Sequence, residues 1–403
     1  MKTLQQLLLI SMIVLTGCGN TFSSGNSSSE YSGEHVIYKN FREDCYYGNE
    51  GDSFIIDIEK DVFGDGIVVT NEAKEIYKLR DLYDDFSIFT DSYETIEFEK
   101  IDTIKAKITY PAKNTRLFLN LISRERKIIH GTFKIGCIYS IGKEVIEIDS
   151  FTDFDEIRKL DGQTLVLTGD LDFNEYQRIW EPPYLNKTNI INPNNYVIKN
   201  FSLQQENDSS KYSLFGDAHL SYFDNLIIND ITIDTSMYEQ DFMSISGLTH
   251  YSTECVFKNN LLSVLKVVDN GKTEYIGGLT FKSINCAFIN NQVGVNIVQV
   301  GENERETYMG GLSALDSRFH LPNDNVHSKE TSYCLPIKYN RIKGTLQGIN
   351  YVGGLFGSLE TLVDDYMIET DNYISSHARL ISSTNNAGEY YGKYTNWYKP
   401  VAF

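Results

Sequence analysis

Between residues 54 and 148 the apolar positions come in short runs that alternate, or nearly so, with polar ones: Phe54-Ile55-Ile56-Asp57-Ile58, Gly66–Val69, Thr95–Glu99, Ile104–Ile108, Arg116–Leu119 and Val145–Ile148. Runs of this length separated by turn formers predict strands, and their number fits an antiparallel sandwich or small barrel over residues 35–148. The acidic stretch Asp81–Asp91 interrupts them. Its Asp81, Asp84 and Asp85 lack the glycine-bearing spacing of a calcium loop, so a solvated loop is expected there. At Thr152–Leu160 the period changes. Phe154, Ile157 and Leu160 share one helical face, with Thr152 placed to cap and Asp155 to bond back. Such a helix would cover the open end of a stacked array.

Beyond it the pattern becomes self-similar. The strand Thr164–Phe173, Trp180, the strand Val197–Leu203, Ser213-Leu214-Phe215-Gly216 and Asn225–Asp230 lead into a recurring phrase. Its copies are Ser246-Gly247-Leu248, Tyr275-Ile276-Gly277-Gly278-Leu279, Tyr308-Met309-Gly310-Gly311-Leu312 and Tyr351-Val352-Gly353-Gly354-Leu355-Phe356-Gly357, with leucines 31, 33 and 43 residues apart. A second phrase, Cys-x-Phe-x-Asn-Asn, starts at Cys255 and Cys286, each seven residues after its leucine. The apolar Phe319 and Leu362 fall at the same offset in the later copies. Two phrases repeating in phase predict stacked coils with equivalent side chains about 4.8 Å apart. Ile276 and Leu279 are three apart, so the glycine pair is expected to turn both inward through a positive-φ bulge and to admit close backbone approach. Asn259 and Asn290 are expected to form an amide ladder at another corner.

A formal net charge of -19 over 403 residues excludes nucleic acid as a partner and disfavours docking of the folded surface on anionic lipid. Abundant Tyr (27) and Phe (22) with scarce Pro (7) agree with a strand-rich chain. The amino terminus stands apart. Lys2 and the apolar run Leu7–Leu15 end in Leu15-Thr16-Gly17-Cys18, which resembles the lipobox of bacterial lipoproteins. That resemblance implies a signal peptide over residues 1–17 and a lipid on the Cys18 sulfur. A Ser/Gly-rich tether then runs to residue 34, so the chain would be lipid-anchored in a bacterial cell envelope and exposed at its surface, with the membrane as partner. No later segment is long and apolar enough to span a bilayer.

Residues 149–403 resemble right-handed parallel β-helix proteins with GLUG-type repeats. Gly354-Leu355-Phe356-Gly357 is a full copy of the repeat, whereas Gly278-Leu279-Thr280-Phe281 and Gly311-Leu312-Ser313-Ala314 lack the last glycine. Leu167–Asp172, Trp180 and Leu214–Gly216 resemble that family's entry coils. The resemblance implies an all-β fold: a solenoid with a capping helix, preceded by a small antiparallel domain. It makes Gly277, Gly278, Leu279, Gly310, Gly311, Leu312, Gly353, Gly354, Leu355 and Gly357 structural residues. The family occurs mainly in bacterial surface proteins, adhesin-like ones among them.

Chemistry is sparse. Cys255 and Cys286 are expected side by side and inward, with a disulfide between them geometrically allowed. Cys45 and Cys137 are a second candidate pair, and Cys334 has no evident partner. His219, His250 and His320 follow Leu-Phe-Gly or Gly-Leu phrases and are expected at the surface. Asp217, Asp224, Glu254 and Asp316 are candidates for a carboxylate pair, and Asp170 and Asp172 for a cation site, but none stands out. No catalytic, cofactor or metal residue is assigned. The expected function is therefore an adhesive or ligand-binding scaffold without catalysis, whose partner is a host or matrix glycan or protein. Leu185–Asn194, Gln204–Ser210 and Asp316–Cys334, where the repeat lapses, are expected to form the recognition surface. A polysaccharide lyase or glycoside hydrolase on the same fold is the competing reading, and an envelope spacer a third.

Overall fold

The computed structural model describes residues 35–38, 44–62, 67–70, 83–91, 96–123, 128–175, 180–204, 211–235, 243–301, 305–318, 336–361, 371–388 and 390–396. Cys18 and the tether, Cys334, His320, Phe319, Leu362 and most of the two later recognition stretches lie outside them.

From Val145 onward the described residues form a parallel β-solenoid with four sheets. Sheet I has seven strands, from Val145–Ile148 to Ile337–Lys338, and sheet II has ten, beginning at Leu171–Asp172. Sheet III has six, from Lys211–Tyr212 to Asn386–Gly388, and sheet IV eight, from Lys159–Asp161 to Tyr391–Asn396. One coil runs through Thr249–Thr253 in sheet IV, Val256–Lys258 in I, Leu261–Asp269 in II and Thr273–Gly277 in III, before Thr280–Ile284 re-enters IV. The expected register is present: the backbone N–H groups of Leu248, Leu279 and Leu312 donate to the carbonyls of Leu279, Leu312 and Leu355 at 3.0, 2.9 and 2.8 Å.

The second phrase fills the interior. Phe223, Phe257 and Phe288 stack with centroids 5.0 and 5.1 Å apart, the rings almost parallel. Cys255 and Cys286 are fully buried beside them, and no disulfide joins them or the second candidate pair, Cys45 and Cys137. Asn290 donates to Asn259 at 2.9 Å, as expected, and both take left-handed φ at the corner between sheets I and II. A deeper ladder is made by the next asparagine of each coil. Asn260, Asn291 and Asn340 each donate to the side-chain oxygen of the following member, ending at Asn372, over 2.9–3.0 Å. The same oxygens accept backbone N–H groups, so buried corner amides are satisfied coil by coil.

The glycine pairs work differently from the expectation. None of them has positive φ. A Cβ on Gly277 would lie 1.8 Å from the Thr280 carbonyl oxygen, and one on Gly278 1.9 Å from that of Gly311. Their task is close approach, while Ile276 and Leu279 both point inward.

The helix spans Phe151–Glu156, and Ser150 rather than Thr152 caps it, accepting from the Asp153 N–H. Phe154 seals the solenoid end by stacking on Trp180 at 5.4 Å and meeting Phe173 and Phe215 edge-on. Leu160 belongs to the first strand of sheet IV instead of the helix.

The amino-terminal unit contains a four-stranded sheet (Asp44–Asn49, Ile128–Ile141, Thr115–Ser123, Tyr83–Thr90) and a three-stranded antiparallel one (Ser53–Asp57, Lys105–Thr109, Phe98–Lys100). They share one apolar core that includes Ile56, Phe86, Ile108 and Leu119. Two local expectations fail. Val145–Ile148 pairs in parallel with Thr164–Leu167 and so starts the solenoid. Tyr83–Thr90 is a strand and not a solvated loop: a register shift between Tyr83 and Asp85 lets Tyr83, Phe86, Ile88 and Thr90 be buried while Asp84 stays exposed.

This unit packs on the outer face of sheet I. Cys137 and Tyr139 join Tyr222, Val256 and Ala287 in one buried cluster. Asn114 donates to Asn189 at 2.9 Å and to the Leu220 carbonyl at 3.0 Å. Glu254, in left-handed conformation at the turn from sheet IV to I, receives Lys134 Nζ and Arg116 Nε at 2.5 Å each. Burial alone would raise its carboxyl, but the two cations outweigh it and hold the group down at about 2.

Candidate functional site

The corner between sheets III and IV is where the repeated phrase shapes the surface. Gly277, Gly310 and Gly353 each meet the backbone of the sheet IV strand that follows. A Cβ added to them would lie 1.8, 1.9 and 1.7 Å from the carbonyl oxygens of Thr280, Ser313 and Phe356. Only glycine lets the chain fold back this tightly. The outer faces of the two sheets therefore converge. Phe281 reaches Tyr275 on one side at 5.8 Å and Tyr251 on the other at 6.4 Å.

The strand register assigns one residue per coil to each line of this re-entrant corner. The wall on sheet III reads Ser244, Tyr275, Tyr308, Tyr351, Asn386. The wall on sheet IV reads Tyr251, Lys282, Leu315, Ser358, Lys393. Between them, after the leucine and one inward residue of each phrase, come His250, Phe281, Ala314 and Gly357. The place where the copies depart from Gly-Leu-x-Gly is thus the floor of the corner.

Tyr275, Tyr308 and Tyr351 are half-buried and stacked, with centroids 5.6 and 5.2 Å apart. Their hydroxyls lie among charges. Tyr308 donates to Glu306, Tyr351 donates to Glu306 at 3.1 Å, and Tyr275 donates to Glu274 at 2.5 Å. Lys393 Nζ reaches Glu306 at 2.8 Å and lies over the Tyr351 ring at 4.8 Å. Burial, helped by the hydrogen bond to Glu306, pushes the Tyr308 phenol up to about 12, so it remains a donor at neutral pH. The Lys393 and Tyr308 hydrogen bonds lower the Glu306 carboxyl. The stacked faces are occupied by each other, so the ladder offers ring edges, hydroxyls, two carboxylates and one ammonium.

At its upstream end the ladder stops at Ser244, and three polar side chains meet. Ser244 Oγ is 2.7 Å from His250 Nε2, and His250 Nδ1 is 2.7 Å from Asp217 Oδ1. Ser244 and His250 are each only 8 % exposed, while the Asp217 side chain is 33 % exposed. The expected surface placement of His250 is therefore wrong. Its ring packs on Phe281 at 4.3 Å, and its backbone N–H donates to the Phe215 and Gly216 carbonyls. Ser244 carries no local sequence motif; only its register opposite Tyr275 marks it.

The other candidates are dispersed. Glu254 belongs to the docking contact, and His219 lies there too, 3.4 Å from Arg116, with its imidazole pKa lowered by burial and by that guanidinium. Asp316 is fully buried with Arg318 inside the solenoid. Asp224 accepts from Tyr222 and Asn259, Asp170 accepts from the Val197 backbone N–H of the next coil, and Asp172 caps its own turn through the Asn174 N–H. Among the described residues no group of three or more His, Cys, Asp or Glu is arranged to hold a metal ion. Leu185–Asn194 is no insertion, since it supplies strands of sheets IV and I and buries Leu185 and Ile190. Compared with models of known protein families and with curated proteins, the chain matches none.

Proposed function

We propose that this protein is a ligand-binding solenoid, displayed from a bacterial envelope by a lipid on Cys18, that holds an elongated glycan along the corner between sheets III and IV. The observation that carries this reading is the half-buried ladder of Tyr275, Tyr308 and Tyr351 running along the solenoid axis. A repeating polymer meets a repeating row of ring edges and hydroxyls, and Glu306 and Lys393 supply charged hydrogen-bonding groups beside it. The net charge of -19 favours neutral or cationic sugars over polyanions. The docking contacts of the amino-terminal unit fall on sheet I and on the turn that leads into it from sheet IV, whereas the tyrosine ladder stands on sheet III.

A glycan-array screen of residues 34–403, repeated with Tyr308→Ala, tests the reading. At least a tenfold weaker binding by the variant is expected; binding to no glycan, or equal binding by both, overturns it. Labelling with a lipid precursor tests the anchor separately, and a Cys18→Ala chain that still takes up label would defeat that part.

A further inference from the structure

We infer that Ser244, His250 and Asp217 form a nucleophilic site that cleaves ester bonds, a function beyond ligand binding. Two departures from the later coils coincide there with an aspartate of the preceding one. Ser244 stands where later coils place Tyr275, Tyr308 and Tyr351. His250 stands where they place Phe281, Ala314 and Gly357. Asp217, one coil earlier and just before the sheet IV strand Ala218–His219, completes the group. The result is a continuous chain of two hydrogen bonds, each 2.7 Å, from hydroxyl to imidazole to carboxylate.

The roles follow from what each group can donate or accept. An ionised carboxylate only accepts, so Asp217 fixes the proton on Nδ1 and leaves Nε2 of the neutral ring to receive the Ser244 proton. As that proton moves to Nε2, Oγ bonds to the ester carbonyl carbon and the carbonyl electron pair shifts to oxygen. Collapse of the tetrahedral species breaks the bond to the alcohol, which leaves with the proton from His250. Water then adds to the acyl-serine with His250 again as base, releasing the carboxylic acid and restoring Ser244. No redox partner is needed. Asp217 is a positioning residue, since it neither gains nor loses a proton. The site lies at the head of the tyrosine ladder, so the substrate class is an O-acyl ester, such as an acyl group carried by a polymer in that corner.

Incubating the full chain with a fluorophosphonate tests this, because phosphorus bonds to an activated serine oxygen as fluoride leaves. Peptide mass analysis should find the adduct on Ser244 in the unmodified protein, a readout that needs no variant. Ser244→Ala and His250→Gln should each lose more than about 90 % of the label, a tenfold effect of the kind general-base loss produces. Asp217→Asn should lower kcat for p-nitrophenyl acetate at least tenfold with KM unchanged, whereas a purely architectural hydrogen bond would leave kcat alone. An unlabelled Ser244 in the folded protein, or label confined to other serines, overturns the inference. The probe is too small to require the ladder, so labelling without glycan binding, or binding without labelling, separates this site from the proposed glycan function.

Discussion

The outer row of sheet I and the outer row of sheet III are built by the same coils and reach opposite ends. On sheet I, Asn189, Tyr222, Val256 and Ala287 are at most 3 % exposed, because the amino-terminal unit lies over them. On sheet III, Tyr275, Tyr308 and Tyr351 remain half-exposed with charges at their hydroxyls. Behind the docked row the interior stays regular: Phe223, Phe257 and Phe288 stack in series although their outer neighbours are Tyr222, Val256 and Ala287. A solenoid therefore lets one face be committed to internal docking and another to external contact without conflict in the core.

The largest expected effect breaks the docked face. Glu254→Leu leaves the buried Lys134 ammonium without its carboxylate, and loss of about 3–5 kcal/mol in urea unfolding is expected. Adding Lys134→Leu should recover much of it; no recovery would mean the pair is not the cause. The same contact makes a pH prediction. The Glu254 pKa is depressed from 4.5 to about 2, so its stabilisation is complete above 4.5 and lost as pH falls toward 2. The size is about 3 kcal/mol, read from unfolding midpoints across that window in wild type and Glu254→Gln.

A smaller effect tests the shared interior. Asn291→Ala removes the acceptor for the Asn260 N–H and the donor to the Phe257 carbonyl, and about 1–3 kcal/mol should be lost. The smallest falls on the open face. Tyr308→Ala should change stability by about 1 kcal/mol or less while weakening ligand binding at least tenfold. A large stability loss there would show that the ladder holds the fold together, which would erase the contrast between the faces.

The register of the solenoid was legible because leucine, phenylalanine and asparagine recur in phase. Side-chain identity at fixed spacing translates directly into stacked positions. The glycine phrase was legible as a corner but not as a re-entrant one, since the sequence carries no sign of how near Thr280 returns to Gly277. Tyr83–Thr90 was hidden by a bulge that set two aspartates side by side. The Ser244–His250–Asp217 group was hidden for a different reason. Asp217 and His250 come from successive coils, and Ser244 becomes noticeable only when the first position of every phrase is compared down the stack.

The leucine-to-leucine unit of 31 residues between Leu248 and Leu279 carries two wall residues, Tyr251 and Tyr275, and one floor residue, His250. Duplicating such a unit would lengthen the strip by one step of about 4.8 Å and add three new side chains to it. The core would see only another copy of what it already packs. Length and composition of the contact strip are thus separately adjustable, by unit number and by substitution at three positions per unit.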